Sequence, residues 1–371
     1  MSHRLIQQIA VLVLSMVALS ATLLGVQVQP KYAYFFDIFG KFIKVEISTS
    51  QVVAHGSLME IKGVREFLPN WRGKCETCRV RYDPKLHRLY VLTYLDFHPL
   101  SETMALRILA LEFPSFRLIG KVDIGKVKIG DVGFLITPDG RHLLISYEIP
   151  SQGQSWTFVK ETYNTRNLER VELKQEVIPR IPYDPVALAR ARFSHKAYFA
   201  PDGTTIYDGE YAIQGERVTR RSKPRLPAEV ERFVKENPDF SRHPPVWLGE
   251  NGHRMLLWET KSRQRTRKLL DESMGKSKEE KYTIEYATGR LALYDTLVGK
   301  KVRLWRVEEL EGDAPQLIAV TPNGQLVYFA KSVDERHAEL YAVDLTMKGR
   351  PVRLPLFGLD IYNTSCFFAD Q

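Results

Sequence analysis

The sequence predicts an all-β protein: a closed β-propeller of six or seven four-stranded blades, with short helical insertions. Three observations lead there. A polar turn between apolar, aromatic-rich runs recurs along the chain, and it recurs at blade-sized intervals. The chain also stops part-way through one copy of this repeat and begins where that copy breaks off.

The repeat is clearest in Gly133-Phe-Leu-Ile-Thr-Pro-Asp-Gly-Arg-His-Leu-Leu-Ile-Ser146, in Ala197-Tyr-Phe-Ala-Pro-Asp-Gly-Thr-Thr-Ile-Tyr207 and in Leu317-Ile-Ala-Val-Thr-Pro-Asn-Gly-Gln-Leu-Val-Tyr-Phe-Ala330. Weaker copies begin at Arg79 and Val246. Each reads as strand, tight turn, strand, because Asp-Gly and Asn-Gly accept the positive φ of a short hairpin and the flanks suit buried strands. The turn residues Asp83, Asp139, Asp202, Asn251, Asn323 and Asp370 recur every roughly 50 to 70 residues, against roughly 40 to 50 for a four-stranded blade. Insertions explain the long intervals. Asp184-Pro-Val-Ala-Leu-Ala-Arg-Ala-Arg192 opens a helix with Asp as N-cap and Pro at N1, and Pro227 to Asn237 is a second helix. The charged stretch Lys261 to Lys281 reads as an inserted loop. Six blades are detectable and a degenerate seventh stays open.

The ends supply the closure. Ser365-Cys-Phe-Phe-Ala-Asp-Gln371 matches the first strand and turn of a repeat, while Tyr32-Ala-Tyr-Phe-Phe-Asp37 matches the second strand. One blade is therefore expected to be split between the termini, one inner strand from the end and three from the start. Such pairing leaves no open edge in the ring.

The Pro-Asp-Gly copies, the Asp83-Pro-Lys-Leu-His-Arg-Leu-Tyr-Val91 copy and the strand Leu340-Tyr-Ala-Val-Asp-Leu345 resemble the YVTN-type bacterial propeller repeat, with TolB-like repeats next. The resemblance spans residues 32 to 371 and implies a fold rather than an activity.

Composition agrees with a globular chain: 371 residues, 44% hydrophobic and 26% charged. Residues 1–30 read as an export signal or signal anchor, with 31–371 as the propeller domain. His3 and Arg4 precede the apolar run Ile9 to Val28, and Ala18 and Ser20 form a cleavage pattern. The run is also about long enough to span a bilayer, so cleavage and anchoring both remain open, and membrane contact is expected only if the signal stays. Either way the rest of the chain is exported, to the periplasm or beyond. The formal charge of +9 favours acidic partners, although basic solvated loops would produce it too. Export argues against nucleic acid as the physiological partner.

Of the three cysteines, Cys75 and Cys78 form the local pair for a disulfide, while closure also brings Cys366 to the blade next to Cys78. No second Cys pair completes a zinc site.

The resemblance implies that ligand sites lie at the mouth of the central channel, in the loops leading into each inner strand. Counting back by the same interval from each turn places Glu76, Asp131, Ser194, His243, Pro315 and Tyr362 there, with Asn363 adjacent. Glu76, Asp131, His243 and Asn363 are the candidate ligand or metal residues. Carboxylates and amides suit calcium, whereas His243 suits a transition metal. A second candidate is the basic run Lys261, Arg263, Arg265, Arg267 and Lys268, expected in a loop on the channel-mouth face, where a protein partner or anionic ligand could dock. No aromatic residues interleave within that run. There is no G-x-S-x-G elbow, H-E-x-x-H, P-loop or dinucleotide fingerprint. The expectation is a non-catalytic binding or protein-interaction scaffold without a cofactor. Its rivals are a lactonase-like hydrolase dependent on a divalent cation at the channel mouth, and the heavy subunit of an amine-dehydrogenase-type complex.

Overall fold

The computed structural model describes residues 29–370, apart from 69–78, 96–102, 129–131, 152, 201, 222–225, 244, 249–252, 272–275, 298–300, 334–337 and 347–349. The expected N-terminal export segment, up to residue 28, therefore lies outside the described residues. Among those described, no helix is long and apolar enough to cross a membrane.

Antiparallel sheets follow one another along the chain. Strands β1 (Tyr32–Asp37), β2 (Lys41–Glu46) and β3 (Gln51–Ser57) are successive neighbours. A four-stranded sheet follows, made of β4 (Arg79–Asp83), β5 (Arg88–Leu95), β6 (Thr103–Glu112) and β7 (Arg117–Lys128). The next comprises β8 (Gly133–Ile136), β9 (His142–Ile149), β10 (Ser155–Asn164) and β11 (Arg170–Pro179). After helix α1 (Pro185–Ala191) come β12 (Tyr198–Phe199), β13 (Ile206–Asp208), β14 (Tyr211–Gln214) and β15 (Arg217–Arg220). Helix α2 (Ala228–Glu236) precedes β16 (Val246–Leu248), β17 (Arg254–Asp271), β18 (Lys276–Asp295) and β19 (Lys301–Arg306). Then come β20 (Gly312–Val320), β21 (Leu326–Ser332), β22 (Ala338–Asp344) and β23 (Val352–Leu354). The last strand, β24 (Thr364–Ala369), pairs with β1 from Tyr32↔Ala369 to Asp37↔Thr364 and completes the first sheet.

The arrangement is all-β and propeller-like, but the blade count differs from the expected six or seven. Four sheets are separate four-stranded blades, and β16 to β23 form one eight-stranded sheet. The fusion arises because β17 and β18 run on past their blade. There Tyr286↔Asp313 and Ala287↔Gly312 join β18 to β20. The charged stretch expected as a loop is thus two registered strands. The register of the two strands runs unbroken from Thr260↔Ala287 to Asp271↔Lys276, with Arg267 at the position opposite Glu280 and Lys268 at the position opposite Glu279.

Side-chain alternation explains how one sheet can serve two neighbours. Successive residues of a strand point to opposite faces. In β1, Ala33 and Phe35 pack with Tyr328, Ala330 and Leu340 of β21 and β22, whereas Tyr34 and Phe36 pack with Leu89, Val91, Leu109 and Leu111 of β5 and β6. The other face of β5 and β6, including Tyr90, Leu92 and Ile108, meets Phe134, Ile145 and Val159 of the third sheet. Helix α2 puts Val230 and Phe233 against Met255, Leu257 and Tyr294 on one face of the β17–β18 base.

The turn expected at Asn251 lies outside the described residues, and three of the other expected turns use one device. Gly140, Gly203 and Gly324 have φ of 73°, 71° and 68°, a region open to glycine without steric cost. In each turn the preceding Asp139, Asp202 or Asn323 accepts a backbone N–H two residues on through its side-chain oxygen, at 3.0, 2.9 and 3.1 Å. Asp184 caps α1 as expected, accepting the N–H groups of Val186 and Ala187 at 2.9 and 3.1 Å.

Phe367 on β24 stacks on Tyr82 at 4.7 Å and Tyr34 at 5.2 Å, bridging the first and second sheets. Phe367→Ala should therefore lower unfolding stability by about 3 kcal/mol in urea titration. Hydrogen bonds from Thr205 and from the N–H of Thr204 hold the Asp202 carboxyl down to about 2. Its depressed value stabilises the turn fully above the ordinary 3.8, and that stabilisation is lost as pH falls through about 2. Amide exchange at Thr204 and Thr205 should accelerate across that window, and Asp202→Ala should remove the pH dependence.

Candidate functional site

The described loops leading into the inner strands hold their polar residues by local bonds. Ser194 donates its backbone N–H and its hydroxyl to the two carboxylate oxygens of Asp208, at 2.7 and 2.5 Å. Asn363 lies in a short 3-10 turn just before β24, where its amide donates to Asp360 Oδ2 at 2.9 Å. The Asp360 N–H in turn donates to Asp37 Oδ2 at 3.0 Å, so this loop is tied to the end of β1. Asp37 also accepts the N–H groups of Phe39 and Lys41 at 2.9 and 2.8 Å. Burial nevertheless raises its carboxyl above the usual range.

His243, ahead of β16, stacks on Trp258 of β17 with ring centroids 4.9 Å apart. Its Nε2 lies 3.2 Å from Glu285 Oε2 but lacks the alignment of a hydrogen bond. Asn363 is thus committed to Asp360 in its own part of the ring, whereas His243 packs on Trp258 with its buried Nε2 outside any hydrogen bond. Glu76, Asp131, Cys75 and Cys78 lie outside the described residues. Among the described residues no group of three His, Cys, Asp or Glu side chains is placed to hold a metal ion.

One residue at the inner strands escaped the sequence reading. Arg81 of β4 donates Nε to Phe134 O of β8 at 2.9 Å, one terminal nitrogen to Val80 O at 3.1 Å and the other to His195 O at 3.4 Å. One guanidinium therefore links three successive parts of the ring through carbonyl dipoles. Burial, and then the charge of Arg79, push its pKa down to about 10. A lone Arg within a strand carries no periodic signal, so only the adjacent β8 carbonyl reveals this role.

The basic run occupies a different kind of site from the loop expected. Past the β-bulge between Trp258 and Thr260, β17 and β18 continue as a two-stranded ribbon. At its base Glu259, almost fully buried, accepts from Arg290 at 2.8 Å and from the Thr288 hydroxyl. The register places Lys261, Arg263 and Arg265 directly opposite Tyr286, Ile284 and Tyr282. These six share one face, because directly opposed residues point the same way. Arg263 lies over the Tyr286 ring at 5.5 Å from its centroid, and Arg265 is ion-paired to Asp313 of β20. The opposite face is braced, with Arg242 donating to Ser262 Oγ at 2.5 Å and Glu285 beside His243. Aromatic residues absent from the basic run in sequence are thus supplied by the partner strand. Arg267 and Lys268 continue the run on β17, at register positions opposite Glu280 and Glu279.

No protein-family description matches the sequence, and no curated protein sequence does so either. Solved structures of similar architecture include the dihydro-heme d1 dehydrogenase NirN, at 10% identity over 92% of this chain and 75% of that one, with a TM-score of 0.43. TolB from Acinetobacter baumannii is similar at 10% identity over 88% and 66%, with a TM-score of 0.38. The β-propeller domain of the Trilobed protease from Pyrococcus furiosus is similar at 10% identity over 88% and 95%, with a TM-score of 0.36. These likenesses concern architecture, and no residue role is carried over from them.

Removing the Arg81 fork leaves inner-strand carbonyls without their donor, which costs about 1–3 kcal/mol for a buried group. Arg81→Met should lower stability by about 2 kcal/mol in chemical denaturation, on that scale. Arg117→Met, which breaks only an exposed pair with Glu112, should leave the denaturation midpoint essentially unchanged.

Proposed function

We propose that the chain is an exported, non-catalytic binding scaffold that captures an acidic segment of a partner protein on its β17–β18 ribbon. In this reading the eight-stranded sheet is two blades bridged at the ribbon base, making a ring of six. The ring acts as a rigid mount, so little ordering cost falls on binding.

The observation that carries the proposal is the basic and aromatic face of the ribbon. Lys261 and Arg263 are exposed, and the Tyr282, Ile284 and Tyr286 side chains alongside are only partly covered. Same-face residues on a strand repeat every roughly 6.6 to 6.8 Å. An extended segment with acidic residues at alternate positions would match that repeat, and the tyrosines would add apolar contact area. Charge complementarity of this kind gives specificity and a salt-dependent association rate.

Binding of the purified chain to immobilised poly-glutamate, eluted by a salt gradient, tests the assignment. Lys261→Glu with Arg263→Glu should shift elution to markedly lower salt with the melting temperature unchanged. A control pair reversing Lys121 and Lys126 on β7 alters net charge equally. Equal shifts for both pairs would show general basicity at work and overturn the ribbon as the site.

A further inference from the structure

The outer strand of the third sheet carries an anomaly that the ribbon does not explain. Val171, Leu173 and Val177 of β11 are 59%, 48% and 60% exposed, and Ile181, Tyr183 and Val186 extend the run. It is the densest series of exposed large apolar side chains among the described residues. Leu173 and Val177 share one face by alternation, while Val171 sits at a β-bulge between the residues opposite Thr162 and Tyr163, where the alternation breaks. The other face is covered: Ile178 packs with Phe158 and Ala191, and Glu176 accepts from Arg190 of α1 at 2.6 and 2.9 Å. β11 ends its sheet, with β10 as its neighbour on one side. Its outer row of backbone groups therefore borders an uncovered apolar stripe, a combination that favours pairing with another strand.

We infer that two copies of this chain associate by antiparallel pairing of their β11 strands about Gln175. Charge and overlap select that register. A two-fold axis normal to the sheet must pass midway between two copies of one residue, because faces must match across the pair. Centring on Lys174 would oppose Lys174 to itself and Glu172 to Glu176. Centring on Leu173 would leave the Val177 end unmatched. Centring on Gln175 sets Leu173 against Val177 twice and Lys174 against Glu176 twice, and uses the regular stretch of the strand from Glu172 to Ile178, clear of the bulge at Val171. Opposite charges and aliphatic pairs directly across an antiparallel pair are stabilising. The contact is isologous and closes after two copies, so it gives a dimer and not a fibre.

Sedimentation velocity of the full exported chain should show a concentration-dependent dimer. Residues directly opposite lie about 4.5 to 5.5 Å apart between Cα atoms, within the range of a disulfide. Gln175→Cys, an exposed substitution, should therefore cross-link the dimer on mild oxidation, with the unaltered chain as control on a non-reducing gel. Lys174→Glu should raise the dimer dissociation constant at least about tenfold by opposing like charges twice. Lys174→Glu with Glu176→Lys should restore it. A monomer at tens of micromolar would overturn the inference. So would a dimer that the Lys174→Glu substitution leaves intact and Gln175→Cys does not trap.

Discussion

Pairing of the last strand with the first is the constraint on which the remaining structure depends. A blade packs through both faces, so each sheet needs a neighbour on either side. If β24 did not pair with β1, the first sheet would lose its innermost strand and expose the hydrogen-bonding edge of Tyr32 to Asp37. The closure is reinforced beyond the ladder. Phe367 lies within a cluster containing Tyr34, Phe36, Tyr82 and Phe113, drawn from β24, β1, β4 and the β6–β7 turn. Asp37 adds a polar tie by accepting the Asp360 N–H at 3.0 Å from a segment distant in sequence. Closure thus joins a backbone ladder, an aromatic contact and a buried carboxylate at one place.

Two other sheets contain buried carboxylates with similar logic. Glu161 of β10 is 3% exposed and is paired to Arg170 at 3.1 Å, with the Tyr163 hydroxyl donating to its other oxygen. Glu259 of β17 is paired with Arg290 and accepts from Thr288 in the same manner. Such pairs offset desolvation only when the remaining oxygen is also bonded, as it is in both cases. Losing the cation alone would leave an uncompensated buried charge. At Glu259 the arrangement also anchors the bulge from which the ribbon departs, linking blade packing to the presentation of Lys261, Arg263 and Arg265.

Ribbon and edge strand divide the surface between two uses of the same backbone physics. On the ribbon, cations and tyrosines opposed across two strands make a face suited to an acidic segment. On β11, one face is covered by α1 and the other is left apolar beside an unpaired edge. On the readings proposed above, the first surface would attract by charge and weaken with salt, whereas the second would depend on apolar area and ladder hydrogen bonds and resist it. Both rest on sheets that share cores with their neighbours, the first with the second, the second with the third, the third with the fourth and β21–β22 with the first.

The sequence by itself determined the strand class, the hairpin turns, both helices and the meeting of the ends. Each of these is a local pattern: alternation, an Asp-Gly or Asn-Gly pair, an Asp-Pro cap, or a broken repeat at the termini. Tertiary structure decided what depends on partners remote in sequence. The Lys261–Lys281 stretch read as a solvated loop because its strand pairing appears only in the β17–β18 register, which joins residues remote in sequence such as Lys261 and Tyr286. That long register fused two strand groups into one sheet and reduced the separate blades to four. His243 and Asn363 were legible as polar residues ahead of inner strands, yet their partners, Trp258 and Asp360, emerged only from packing. Arg81 gave no sign in sequence because its partners are backbone carbonyls, which every residue possesses and only folding aims.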